Sequence, residues 1–341
     1  MRALVWEGPR RVAIREQAIP TPGPGDALVR VAFAGICGSE LSAYLGHNAL
    51  RVPPLVMGHE FAGEIVALGE GAQERNPALR EGTRVTVNPL ISCGHCLYCY
   101  RGDQQLCPSR QLLGAHCAGG YAEYVAAPAD QALPLPDGMS LATGALAEPV
   151  AVAVRVGEMA GDLDGQVTLV AGAGPIGLLA LQALQQRGAH RVFVSDLVPE
   201  RRAMAEALGG EALDPRGMDV VGAVREATGG LGATLTVDAV GVAATRAQTI
   251  AATRNGGLVI LSGLHEETGV IPAADAIRRE ITLRGSFAYS HTNFTDALGR
   301  LARGIMRLDP WVVQADLAEG GLWLDRLVDA PGGEAKVLLV P

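Results

Sequence analysis

Lysine is almost missing from this chain. Of its 28 basic residues only Lys336 is a lysine; the others are arginines, a coding bias to which no function attaches. Charge is sparse altogether: 19% of residues are charged, and 36 acids against 28 bases leave a net charge of −8. That balance excludes nucleic acid and anionic membrane surfaces as main partners. No apolar run is long and unbroken enough to span a membrane. The longest low-charge stretch, 167–184, carries Gly-Ala-Gly-Pro inside it. The opening MRALVWEGPRRV has no apolar signal-peptide core, so a cytoplasmic protein is expected. Internal repeats and low-complexity tracts are also missing. What is present, 48% hydrophobic residues over 341 positions, suits a globular enzyme with a large core and two domains, one able to interrupt the other.

The six cysteines all fall between Cys37 and Cys117. Four of them form the pattern Cys93-x2-Cys96-x2-Cys99-x7-Cys107. In a reducing compartment such clustering favours a metal over disulfides. Four thiolates on one loop can surround zinc tetrahedrally and leave no position for water, which makes the metal structural. Free thiols or a redox pair are the competing reading. His95, inside the loop, is read as a spacer and Cys117 as a buried, unliganded thiol.

Residues 167–177 read VTLVAGAGPIG. A short apolar strand breaks at Gly172, Gly174 and Gly177, a helical stretch follows over 178–187, and a second strand, 191–195, ends at Asp196. Strand, G-x-G-x-x-G turn, helix, and strand ending in an acid are the context that a dinucleotide fingerprint requires. Gly172 allows the turn, Gly174 lets the pyrophosphate approach, and Gly177 lets the helix pack on the strand. The diphosphate would rest on free N–H groups at the helix start. Asp196 would accept from the ribose hydroxyls and repel a 2′-phosphate, which favours NAD over NADP. The competing reading is a plain glycine turn.

Residues 1–126 read as a β-rich domain with irregular connections. Strands are expected at 2–6, 12–16, 27–34, 61–68, 84–88 and 119–126, and a short helix within 36–44. From 139–157 the pattern turns helical. Strands and helices then alternate, which implies right-handed βαβ units and a parallel sheet. A last strand is expected at 281–289, a helix at 293–306 and a β segment at 337–340. Loops at the carboxyl ends of the parallel strands would hold the cofactor. Contacts are expected from Gly172, Gly174, Pro175, Ile176, Gly177, Asp196, Arg201, Val240, Gly263 and Phe287.

The stretches ICGSEL (36–41), GHEFAG (58–63), the Cys93–Cys107 loop, GGYAEYV (119–125), Glu148-Pro149 and the glycine fingerprint occur in one order along the chain. In this the sequence resembles the zinc-dependent medium-chain dehydrogenases, on the branch with sorbitol (polyol) and threonine dehydrogenases. The resemblance implies an α/β protein. A GroES-like β-barrel catalytic domain (1–149 and 291–341) would be interrupted by a Rossmann doubly wound domain (150–290). It implies two zinc ions per chain: a structural one on the four cysteines, and a catalytic one on Cys37, His59 and an acid, either Glu60 or Glu148. It also implies hydride transfer between a secondary alcohol and NAD. The substrate would be a polyol, a sugar alcohol or a hydroxy-amino acid such as threonine, with a general alcohol dehydrogenase as the alternative. Ser39 matches the hydroxyl of the family's proton relay. The next relay position, often histidine, is Ser42 here, and His47 is a candidate replacement. Tyr44 is a candidate for the pocket wall. A homotetramer or homodimer, joined partly through 281–289, is implied as well. The rival readings are a non-catalytic nucleotide-binding scaffold and a zinc-free quinone reductase.

Overall fold

Val167–Ala171 is an apolar strand with four of its five residues buried. In the computed structural model, which describes residues 1–341, it lies inside a six-stranded sheet. The sheet runs Glu211–Leu213, Arg191–Ser195, Val167–Ala171, Ala233–Asp238, Thr253–Leu261, Thr282–Gly285, and every neighbouring pair is parallel. In chain order this is 3-2-1-4-5-6, the doubly wound arrangement whose order reverses beside the first strand. Leu169, Phe193 and Leu213 pack with Val220 and Val224 of the helix Val220–Glu226 to form one core of this unit.

The helix Pro175–Gln186 begins three residues before the expected 178, inside the glycine fingerprint itself. Gly174 is its N-cap and Pro175 its first residue, where a missing N–H costs nothing. Gly172 adopts φ +96 in the turn before it. A Cβ on Gly177 would stand 1.8 Å from the Gly172 carbonyl oxygen, so helix and turn touch backbone to backbone. A Cβ on Gly174 would meet nothing within 4 Å, which leaves that position open to a ligand.

The chain divides into two compact units. Met1–Ala151, Tyr289–Ile305 and Asp309–Pro341 make one; Val152–Ala288 and Met306–Leu308 make the other. The first unit is β-rich. Its largest sheet runs Ala132–Pro134, Arg84–Val87, Glu60–Leu68, Asp26–Gly35, Lys336–Val340, Val312–Asp316, and Tyr124–Pro128 also pairs with Asp26–Gly35. A three-stranded antiparallel sheet adds Arg11–Glu16, Arg2–Gly8 and Leu55–Val56. The core contains Phe61, Ile65, Val85, Tyr121 and Leu339.

Several expected elements differ. Residues 119–123 are not strand; the strand begins at Tyr124. Gly119 and Gly120 instead donate to the carbonyls of Val56 and Gly58. A Cβ on Gly119 would lie 2.2 Å from the Gly58 oxygen, so this contact depends on glycine on both sides. The last parallel strand is only Thr282–Gly285, and Ala288 at φ +47 turns the chain away. The helix after it is His291–Ala302, capped by Ser290. Among the elements that escaped the pattern reading are the strands Glu211–Leu213 and Val312–Asp316 and the helix Gly320–Asp329. No helix is long and apolar enough to cross a membrane.

Two glycines of one turn should behave oppositely. Gly177→Ala overpacks the helix–turn contact. It should lower the thermal midpoint by roughly 4–8 °C, from about 2 kcal/mol of strain. Gly174→Ala, with open space and φ −71, should leave it unchanged to within about 1 °C. Differential scanning calorimetry of the two variants checks this.

Candidate functional site

The strand Asp26–Gly35 delivers Cys37 to the N-cap of the helix Gly38–Tyr44. The third helical residue, Glu40, reaches back to accept the Cys37 N–H at 3.0 Å, which closes a capping box. Glu60 opens the neighbouring strand, Glu60–Leu68, where it pairs with Gly35, and His59 sits just before it. A Cβ on Gly35 would lie 2.1 Å from Glu60 Oε2, so glycine there leaves room for the carboxylate. The result is a cluster in the β-rich unit: ligand atoms of Cys37, His59 and Glu60 all lie within 4.8 Å of one another.

Glu40 is wholly buried and anchors this cluster. It accepts from the backbone N–H groups of Cys37, Gly58 and His59, from His59 Nδ1 at 2.8 Å, and from the Tyr121 hydroxyl. Burial opposes its ionisation, but His59, Arg51 and Tyr121 hold its carboxyl down to about 2. An ionised Glu40 fixes His59 as the Nδ1–H tautomer and leaves the Nε2 lone pair free for a metal. Burial also opposes charge on His59, yet Glu40 and Cys37 raise its proton affinity well above the usual range. A metal cation at Nε2 would meet the same favourable field. The role of Glu40 was not legible in the sequence. The available signal was an acid three residues after an N-cap.

Lys336 is buried with its Nζ 2.7 Å from both Glu60 oxygens and 3.0 Å from the Ile36 carbonyl, to which it donates. Burial works against its charge, and Glu60 and Cys37 more than restore it. Glu148 stands in the first turn of the helix Ala147–Ala160, buried but outside the three-ligand cluster. Burial pushes its carboxyl up to about 7; His59 pulls against this and Glu60 adds to it. The Tyr289 hydroxyl is hydrogen-bonded to it.

Ser39 follows Cys37 by two residues. Its hydroxyl accepts from Arg51 at 3.2 Å and makes no side-chain hydrogen bond to Ser42 or His47. His47 is exposed. Tyr44 is buried, and its hydroxyl donates to Asp325 at 2.8 Å, tying its helix to Gly320–Asp329.

Cys93, Cys96, Cys99 and Cys107 form the second cluster, and none of the six cysteines is in a disulfide. Sγ separations of 3.5 Å (Cys96–Cys99) and 3.9 Å (Cys93–Cys99) match the roughly 3.8 Å edge of a zinc–thiolate tetrahedron. Against burial, the Ser92 hydroxyl and neighbouring thiols draw Cys99 down to about 6, towards the thiolate that zinc binds. His95 is turned to the Cys93 carbonyl, 2.6 Å away. Cys117 stands apart, and burial raises its thiol.

In the parallel-sheet unit, Asp196 closes the strand Arg191–Ser195. It accepts from the N–H groups of Ala173 at 2.7 Å and Val198 at 2.8 Å, so it is tied to the glycine turn. Val240 and Gly263 touch at the ends of their strands; a Cβ on Gly263 would lie 2.2 Å from the Val240 carbonyl carbon. Arg201 is half-buried on Pro199–Ala207, with its Nε buried and unbonded. Its neighbour Arg202 holds the Asp196 carbonyl and pairs with Asp214, contacts that sequence reasoning missed. It also missed Asp238, which caps the Val240 and Gly241 N–H groups. Phe287 is exposed.

A doubly wound sheet with a glycine turn, joined in one chain to a β unit that gathers Cys, His and Glu, defines a metal-dependent oxidoreductase that uses a dinucleotide. Comparison with known proteins gives the family. Residues 23–137 match the alcohol dehydrogenase GroES-like domain, and residues 175–303 match the zinc-binding dehydrogenase family. (R,R)-butanediol dehydrogenase of Bacillus subtilis is 33% identical over 94% of this chain and 95% of its own. L-galactonate-5-dehydrogenase of Escherichia coli is 32% identical over 91% and 89%. Starvation-sensing protein RspB of E. coli is 39% identical over a shorter alignment, 62% of this chain and 61% of that protein. The solved rspB alcohol dehydrogenase from E. coli CFT073, complexed with NADH, superposes with TM-score 0.90 at 29% identity over 100% and 99% of the two chains. A zinc-binding dehydrogenase from Sinorhizobium meliloti, bound to NADP, gives 0.89 at 32% identity over 100% and 99%. The chain belongs to the zinc-dependent medium-chain alcohol dehydrogenases. It is an enzyme that uses zinc and an NAD-type dinucleotide.

Glu40→Gln removes the charge that faces His59 Nδ1. Metal affinity at the Cys37/His59 centre should fall roughly 10- to 100-fold. Zinc competition with a fluorescent chelator measures it. Tyr44→Phe, remote from that centre in role, should leave zinc affinity unchanged and cost about 1 kcal/mol of stability, read from denaturant unfolding.

Proposed function

We propose that this enzyme oxidises a secondary alcohol of the polyol, sugar-alcohol or hydroxy-acid kind, with NAD as the preferred acceptor. The convergence of Cys37, His59 and Glu60, with His59 Nδ1 held by Glu40, carries the reading. Three protein ligands of mixed S, N and O type leave a fourth position for an alcohol oxygen. Glu60 fits the third ligand better than Glu148, which stands outside the cluster. The relatives named for butanediol and galactonate support a hydroxyl on a secondary carbon. An L-threonine 3-dehydrogenase of Symbiobacterium thermophilum, 35% identical over 84% of this chain, keeps hydroxy-amino acids in the set.

When bound, zinc supplies a Lewis acid that acidifies the alcohol, and the nicotinamide accepts the hydride. The residues do the rest. Cys37, His59 and Glu60 would hold the metal, and Lys336 neutralises Glu60 so that the cluster does not accumulate negative charge. Ser39 takes the alcohol proton. Gly174 gives the diphosphate room over the first turn of Pro175–Gln186, and Asp196 meets the ribose hydroxyls. A negative Asp196 disfavours a 2′-phosphate, which supports NAD over NADP. Cys93, Cys96, Cys99 and Cys107 would hold a second, structural zinc, giving two per chain. Six unpaired cysteines suit the reducing cytoplasm. The exposed edge strand Thr282–Gly285 is the surface through which we expect two copies to join, as a dimer or within a tetramer.

NADH formation, followed spectrophotometrically across polyols, sugar acids, L-threonine and simple secondary alcohols, identifies the substrate class; activity on primary alcohols alone would overturn the reading. Cys37→Ser and His59→Ala should each reduce turnover to background while NADH binding, read by fluorescence titration, persists. Asp196→Ala should narrow the ratio of kcat/KM for NAD over NADP. An unaltered ratio would remove Asp196 from that role.

A further inference from the structure

Arg51 is 4% exposed, beside the Cys37–His59–Glu60 cluster, and no carboxylate lies within 4.0 Å of it. Buried arginines ordinarily pair with an acid, because an uncompensated buried charge is costly. Here the guanidinium joins three segments. Its Nε donates to the Gly114 carbonyl at 3.0 Å, Nη1 to the Ser39 carbonyl at 3.3 Å, and Nη2 to Ser39 Oγ at 3.2 Å. Nη2 also stands 3.4 Å from His59 Nδ1. That last approach is not a hydrogen bond. His59 Nδ1 donates to Glu40, and a guanidinium only donates. Arg51 therefore presses on the ring edge that faces away from the metal position, with Glu40 as its through-space counter-charge.

The consequence for Ser39 follows from counting. A hydroxyl has two lone pairs and one hydrogen. Arg51 occupies one lone pair and can never accept a proton. The Ser39 hydrogen must point elsewhere, and one lone pair remains. We propose that Arg51 is the positioning residue of this centre: it orients the Ser39 hydroxyl for proton transfer and buttresses the His59 ring. This rests on the alcohol-oxidising reading above. The alcohol's hydroxyl hydrogen passes to the free lone pair of Ser39, Ser39's own hydrogen passes to a water, and the serine is regenerated. The proton leaves away from Arg51, and neither Ser42 nor His47 takes part.

The test combines Arg51→Gln, Ser39→Ala and the double variant, in zinc-loaded and cobalt-loaded enzyme. Arg51→Gln should lower kcat roughly 10- to 100-fold, with the KM for NAD within about twofold. In the Ser39→Ala background the same change should cost less than about threefold, because the two residues act as one unit. The visible absorption of cobalt at the Cys37/His59 site should shift in Arg51→Gln, a signature that needs no substrate. Should Arg51→Gln fail to fold, Arg51→Lys keeps the charge, loses the fork, and should show the same coupling and spectral shift at smaller amplitude. Fully additive losses, or an unshifted cobalt spectrum in a folded variant, overturn the proposal. An active wild type with an indifferent Arg51 refutes this inference and leaves the dehydrogenase reading standing. A shifted spectrum in a protein that oxidises no alcohol supports the buttressing of His59 and refutes the part assigned to Ser39.

Discussion

The carboxylate of Glu40 is the constraint on which the metal centre depends. One buried side chain accepts from five donors on three segments of chain: Cys37, the Gly58–His59 turn and Tyr121. An ionised acid without these partners would be prohibitively costly in the interior. The three segments therefore close together or not at all. Because Glu40 holds Cys37 by its N–H and His59 by its ring, closing the fold also brings sulfur and nitrogen to one place. The β unit has no need to find its metal geometry separately from its packing.

Glycine plays the complementary part. Gly58, Gly114 and Gly119 lie so close that a Cβ on either of the last two would strike the backbone of the first. Gly35 leaves the space that Glu60 fills. In the parallel-sheet unit, Gly172 against Gly177 and Val240 against Gly263 do the same for the dinucleotide turn. Rigid backbone-to-backbone contacts of this kind suit sites whose side chains must stay in place.

The parallel sheet was the most legible part of the sequence. Its strands before Gly172 and at 191–195 end where the structure ends them, because apolar β-branched runs bounded by glycine and acid leave little choice. The four-cysteine loop was equally plain, since its spacing alone brings the thiols together. Cys37, His59 and Glu60 were not legible from spacing: a β-barrel register brings them together, and only family resemblance suggested it. The roles of Glu40, Arg51 and Arg202 were hidden for a related reason. Each is an ordinary charged residue in local sequence, and its meaning comes from partners up to 81 positions away, as with Glu40 and Tyr121. GGYAEY was misread in its first half because alternation looks like a strand even where glycines make loop contacts instead.

Lys336 gives the order of assembly a direction. Its strand pairs with Asp26–Gly35, and its ammonium is the counter-charge to Glu60, 276 positions earlier. Until the ribosome has made residue 336, a nascent chain that has already folded its first barrel strands keeps a carboxylate in its interior with no cation to answer it. Synthesis thus delays completion of the centre until the intervening parallel-sheet unit has been translated.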